Sequence, residues 1–207
     1  IIRPLFQSSH DMWDGASIAY GTTINDLTGI HNWFYESALY GQFWEIFALQ
    51  SISNLFGIKY LLVSNVFISI IFLLLLHECF LLAKNYLLLP KFWSVIVVLL
   101  IASSPLWQLL MSSVLSFYLM CITVAMVGVR LSHNQNSILR LVGLLLLIIS
   151  FYYKAMLVFG PVLSYLYDTS KNPKHAKIVF PSVTTLKIFF CGVAFFVILK
   201  LFFPQTG

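Results

Sequence analysis

Two aspartates three residues apart, Asp11 and Asp14, lie in the stretch of this chain densest in reactive groups, Ser9-His10-Asp11-Met12-Trp13-Asp14-Gly15-Ala16-Ser17-Ile18-Ala19-Tyr20. On a helical turn, side chains at that spacing are neighbours. Close carboxylates raise one another's pKa, which leaves one able to act as a base near neutral pH. Their oxygens also suit a shared divalent cation, Mg2+ or Mn2+. Trp13 can stack on a sugar face or rest at a lipid interface, the commoner use. The ordinary alternative for either aspartate is to cap the start of a helix. Asp26, Glu36 and Glu45 follow, so five of the seven acidic residues fall within the first 45 positions. Glu36 follows Trp33-Phe34-Tyr35 and Glu45 follows Trp44. Each reads as a second acid of a site or as an interfacial polar group.

Lys154, between Tyr153 and Ala155, is the other residue whose type and place suggest chemistry. It lies between two apolar runs, where a lysine either snorkels to the headgroups or holds a phosphate. Charges at such positions are functional by default, which favours phosphate. Other chemistries lack support. The chain has no nucleophile elbow, P-loop or dinucleotide fingerprint. His10 and His31 have no ligand-like spacing to other histidines, and Cys79, Cys121 and Cys191 have no C-x-x-C spacing and read as small buried hydrophobes. Glu78, beside His77, reads as a helix-end charge in the headgroups.

The elements that must position these groups are set by composition. Of the 207 residues 60% are hydrophobic and 9% charged, with mean hydropathy +0.92. A soluble domain carries about 25% charged residues, so the chain reads as an all-α, polytopic integral membrane protein embedded in a lipid bilayer. Its net charge of +5 does not point to nucleic acid, because the basic residues form short clusters between apolar runs. Spanning helices need about 20 apolar residues. The pattern predicts about six: Tyr60–Leu82, Phe92–Leu109, Met111–Val129, Ile138–Tyr153, Ala155–Tyr167 and Thr185–Phe203, two of them short. The run from Tyr40 to Phe56 holds Gln42, Glu45, Gln50, Ser51, Ser53 and Asn54 and is too polar to span comfortably. It reads as a helix in the interface, with its polar residues on no single clean face. If it does not cross, Lys84, Lys91, Arg130, Arg140, Lys171, Lys174, Lys177 and Lys187 all fall on the cytoplasmic side, and the early acids and Lys154 fall outside. Two regions follow: 1–57, an external loop with juxtamembrane helices, and 58–207, the transmembrane helices. The opening Ile1-Ile2-Arg3-Pro4 and the stop after an apolar run suggest a piece of a longer protein. Asp168–Pro181 reads as an ordinary cytoplasmic loop.

In this order of parts the chain resembles the polyprenyl-phosphate-dependent glycosyltransferases of the GT-C fold, the superfamily that includes protein mannosyltransferases and aminoarabinose transferases. Asp14-Gly15-Ala16-Ser17-Ile18-Ala19-Tyr20 looks like the family's acidic loop motif. Leu55-Phe56-Gly57 ends the interfacial run in the matching place, Ser104-Pro105 is similar to the turn after the next span, and Tyr153-Lys154-Ala155 looks like the element placed near the donor phosphate. Gly15 stands where many members have glutamate, and Tyr40-Gly41 where many have a proline pair. Those departures favour bacterial cell-envelope sugar transferases. The resemblance implies an inverting transferase of the bacterial inner membrane with its active site on the periplasmic or external face. A polyprenyl-phosphate sugar would be the donor, and a glycan, lipid or protein the acceptor. Asp14, with Asp11 second, would be the general base. Lys154, Tyr153, Trp13, Tyr20 and Glu36 would surround donor and substrate, with Mg2+ or Mn2+ permitted but not required. The rival readings are a lipid-linked sugar transporter or flippase, an O-antigen polymerase or ligase, and a structural membrane subunit without a site.

Overall fold

A computed structural model describes residues 40–85, 87–104, 116–152, 155–171 and 181–202. Among these the chain is all-α. Its helices are α1 (Tyr40–Phe56), α2 (Tyr60–Asn85), α3 (Lys91–Ser103), α4 (Ser116–Ser132), α5 (Ser137–Ser150), α6 (Met156–Lys171) and α7 (Val183–Phe202). The 26-residue α2 is long and apolar enough to cross a bilayer; α3, α4, α5 and the Val183–Ile198 part of α7 are apolar but shorter.

Local chemistry fixes where these helices begin and end. Gly57 ends α1 in the left-handed region, at φ 63°. The Ile58 N–H then reaches back to the Ser53 carbonyl at 3.1 Å, a Schellman closure that needs the residue without a Cβ. Asn136 starts α5 by accepting the Ile138 N–H at 2.9 Å, and Ser182 starts α7 by accepting the Thr185 N–H at 3.2 Å. Pro161 is inside α6 and supplies no backbone donor there.

The chain forms two compact units, one from Ile1–Leu73 with Pro105–Met120 and the other from Leu74–Ser104 with Cys121–Gly207. In the first, α1 buries Glu45, Ile46, Leu49, Gln50 and Ser53 on one stripe and exposes Trp44, Phe47, Ile52, Leu55 and Phe56. As expected, its polar residues share no single clean face: Glu45, Gln50 and Ser53 lie on the buried stripe with Ile46 and Leu49, whereas Ser51 and Asn54 lie outside it. In the second unit, α7 packs on α6 and α5. Phe151, fully buried after α5, fills the space left by two glycines: a Cβ on Gly160 of α6 would lie 3.4 Å from its ring, and one on Gly192 of α7 3.5 Å. The α4 and α5 backbones meet at Gly128 and Gly143. A Cβ on Gly143 would collide with the Ser132 backbone nitrogen and lie 2.7 Å from the Gly128 carbonyl oxygen.

Candidate functional site

Asp11, Asp14, Trp13, Tyr20, Glu36, Tyr153 and Lys154 lie outside the described residues. The acid that the structure does describe from the early cluster is Glu45. It is held on the inner stripe of α1 at 7% exposure. Its Oε1 accepts from the Ser116 hydroxyl at 2.7 Å, at the start of α4. Its Oε2 is buried and accepts no hydrogen bond among the described residues. No ion pair reaches it among the described residues. A charge buried with one hydrogen bond and no counter-ion is costly. Desolvation accordingly pushes the carboxyl up to about 7, against a smaller opposing effect of the Ser116 hydroxyl. Glu45 is thus an acid that holds or releases a proton near neutral pH, with one oxygen uncommitted. The sequence marks Glu45 only as one of several acids, because its burial depends on a serine 71 residues away.

The second unit has two further polar clusters. Glu78, which the sequence marks as a helix-end charge, has a partner in the structure. It is buried at 5% exposure and takes a forked pair from Arg130 of α4, with Nη2 to Oε1 at 2.7 Å and Nε to Oε2 at 3.0 Å. A forked pair of this geometry meets both carboxylate oxygens of the buried acid. The other cluster ties the turn after α4 to α6 and α7. Asp168 Oδ2 accepts from the Thr185 hydroxyl at 2.6 Å and from the Ser182 N–H at 3.1 Å. Ser164 Oγ lies 2.7 Å from Thr185 Oγ1 and 2.8 Å from His133 Nε2. His133 Nδ1 faces Asp168 Oδ1 at 3.5 Å, and its ring stacks on Tyr167 with centroids 4.3 Å apart. Asp168 is therefore a helix residue of α6 rather than the opening of a loop.

The sequence Asp168, His133, Ser164 has the connectivity of a nucleophilic triad. Ser164, however, has zero exposure and its hydroxyl is engaged by Thr185 as well as by His133. No substrate carbonyl can reach it, so the cluster acts as a clasp between helices. Among the described residues no group of three His, Cys, Asp or Glu side chains is placed to hold a metal ion. Cys79, Cys121 and Cys191 are not joined in disulfides, and of the three only Cys121 is fully buried. Comparison of the chain with protein-family models, with curated proteins and with solved structures finds no match.

Proposed function

We propose that the protein is an integral membrane glycosyltransferase that moves a sugar from a polyprenyl-phosphate donor to a cell-envelope glycan, lipid or protein at the external face. The observation that carries this reading is α1. It presents an ionisable carboxyl inward at Glu45 and tryptophan, phenylalanine, isoleucine and leucine outward. A juxtamembrane helix beside a membrane-edge reaction needs this division, since lipid takes the apolar face and the reacting groups need shelter from it. In a single displacement, an acceptor hydroxyl gives its proton to a carboxylate while its oxygen bonds to the anomeric carbon and the lipid phosphate leaves. Asp14 is the residue assigned that base, with Asp11 second. Glu45, able to take up a proton near neutrality, is an additional acid in the same early segment. Lys154 would neutralise the donor phosphate.

The test is transfer of labelled sugar from undecaprenyl-phosphate sugar by the purified full-length protein. Asp14→Asn is expected to lower kcat by about two to four powers of ten, the usual worth of a general base. Wild-type rates in both Asp14→Asn and Asp11→Asn, at unchanged membrane abundance, would sink the catalytic-acid assignment. For Lys154→Ala the expected outcome is a raised donor KM.

A further inference from the structure

The hydrogen-bonded clasp of the second unit specifies its own protons. Thr185 has one hydroxyl hydrogen, and the 2.6 Å contact with the Asp168 carboxylate uses it. At the Ser164 contact Thr185 must then accept, so Ser164 is the donor there. Ser164 has no second hydrogen, so at its 2.8 Å contact with His133 the imidazole Nε2 carries the proton. The other ring nitrogen, Nδ1, faces a carboxylate oxygen at 3.5 Å. A bare Nδ1 facing a bare carboxylate would set two acceptors against each other, so one proton lies between His133 and Asp168. The pair is neutral overall whichever of the two atoms holds it.

The clasp therefore adds no net charge to the adjoining surface, where the cation is Arg130. An open depression of about 350 Å³ is lined by Arg130, His133, Asn134, Gln135 and Tyr167. Arg130, Asn134, Gln135 and Tyr167 each carry at least one N–H or O–H donor, and no carboxylate is among these residues, while both ring nitrogens of His133 are turned to Ser164 and Asp168. The two acids paired with Arg130 and His133 lie behind them. Glu78 spends both oxygens on Arg130, and Asp168 spends its own on His133, Thr185 and Ser182. The Arg130 side chain remains 37% exposed, enough to meet a ligand. Donors in front and carboxylates behind make a surface complementary to an anion.

We propose that this depression binds a phosphate group, carried by an anionic lipid headgroup or free in solution. The inference stands apart from the transferase reading, since it uses none of the acids assigned to sugar transfer. Two arms separate the sources. In the first, full-length protein from nanodiscs containing equal phosphatidylglycerol and phosphatidylcholine is examined by native mass spectrometry for retained lipid. In the second, detergent-purified protein is titrated with inorganic phosphate by calorimetry. Gln135→Glu adds a negative charge to the exposed rim. Asn134→Asp does the same while keeping the oxygen that accepts the Asn136 N–H. Preferential retention of phosphatidylglycerol, reduced about tenfold in either variant, supports a lipid phosphate. Saturable phosphate binding without lipid preference, reduced likewise, supports free phosphate. The absence of both binding signals, or binding unchanged in both variants, overturns the proposal.

Discussion

At the scale of single residues, Glu45 carries the most physical consequence. Its folded pKa of about 7 lies above the ordinary 4.5, because burial penalises the charged form. Between those two values the folded state binds the extra proton, so stability is full below about pH 4.5 and falls as pH rises towards 7. Above that it levels off, having lost about 3 kcal/mol by linkage at roughly 1.4 kcal/mol per unit. Glu45→Gln keeps the oxygen that accepts from Ser116 and removes the titration. Thermal unfolding of the wild type should therefore weaken from pH 5 to pH 8, while Glu45→Gln is flat over the same interval. Parallel pH profiles for the two proteins would show that Glu45 does not titrate where its burial requires. Glu78 offers the contrast: it is as deeply buried, yet both oxygens are met by Arg130, so its charge is compensated in place.

At the scale of elements, the contact between α4 and α5 is set by backbone rather than by side chains. Gly128 and Gly143 let the helices approach until a Cβ on Gly143 would meet the Ser132 nitrogen and the Gly128 carbonyl, neither of which can swing aside. Small residues at such crossings are how apolar helices pack when lipid supplies no drive to bury leucine. Gly143→Ala should destabilise by about 1–3 kcal/mol, the range for overpacking. Gly57→Ala, which meets open space, should cost only the strain of its positive φ, about 1 kcal/mol. Unfolding temperatures of the two variants in one detergent test this ordering. Much at this scale was legible in the sequence. The Tyr60 start of α2 and the approximate positions of α5 and α7 follow from apolar runs, and the interfacial run stops at Gly57 as expected, whereas α6 continues past Tyr167 to Lys171. The inner stripe of α1 was not legible, because six polar residues within 17 positions do not reveal which face is covered. The Glu78–Arg130 pair and the clasp were hidden for a related reason. Their partners stand 52 and 31 residues apart and join only when helices pack. The acidic motif, Tyr153 and Lys154 lie outside the described residues, so their geometry adds nothing to the sequence reading.

At the scale of the whole molecule, the described residues bury small polar side chains beside an apolar core and leave large apolar side chains exposed. Serines and threonines such as Ser64, Ser94, Thr123, Ser150 and Ser164 are buried, while Leu61, Leu62, Ile70, Leu99, Leu100, Phe190 and Leu201 are exposed. Exposed apolar area costs about 25 cal/mol per Å² in water. On the proposed reading as a membrane protein, a bilayer removes that cost and the basic residues set the orientation. If α1 lies in the interface while α2, α3 and α4 each cross with their neighbouring segments, positions before α2 and after α4 fall on opposite sides. A thiol introduced as Ser51→Cys should react with a membrane-impermeant maleimide in intact cells. Asn134→Cys and Asn85→Cys should react only after permeabilisation, all in a background with Cys79, Cys121 and Cys191 changed to alanine. Labelling of Asn134→Cys alongside Ser51→Cys in intact cells would mean an even number of crossings between them. The depression proposed to bind phosphate would then lie on the external side, and the two functional readings would have to share one face of the membrane.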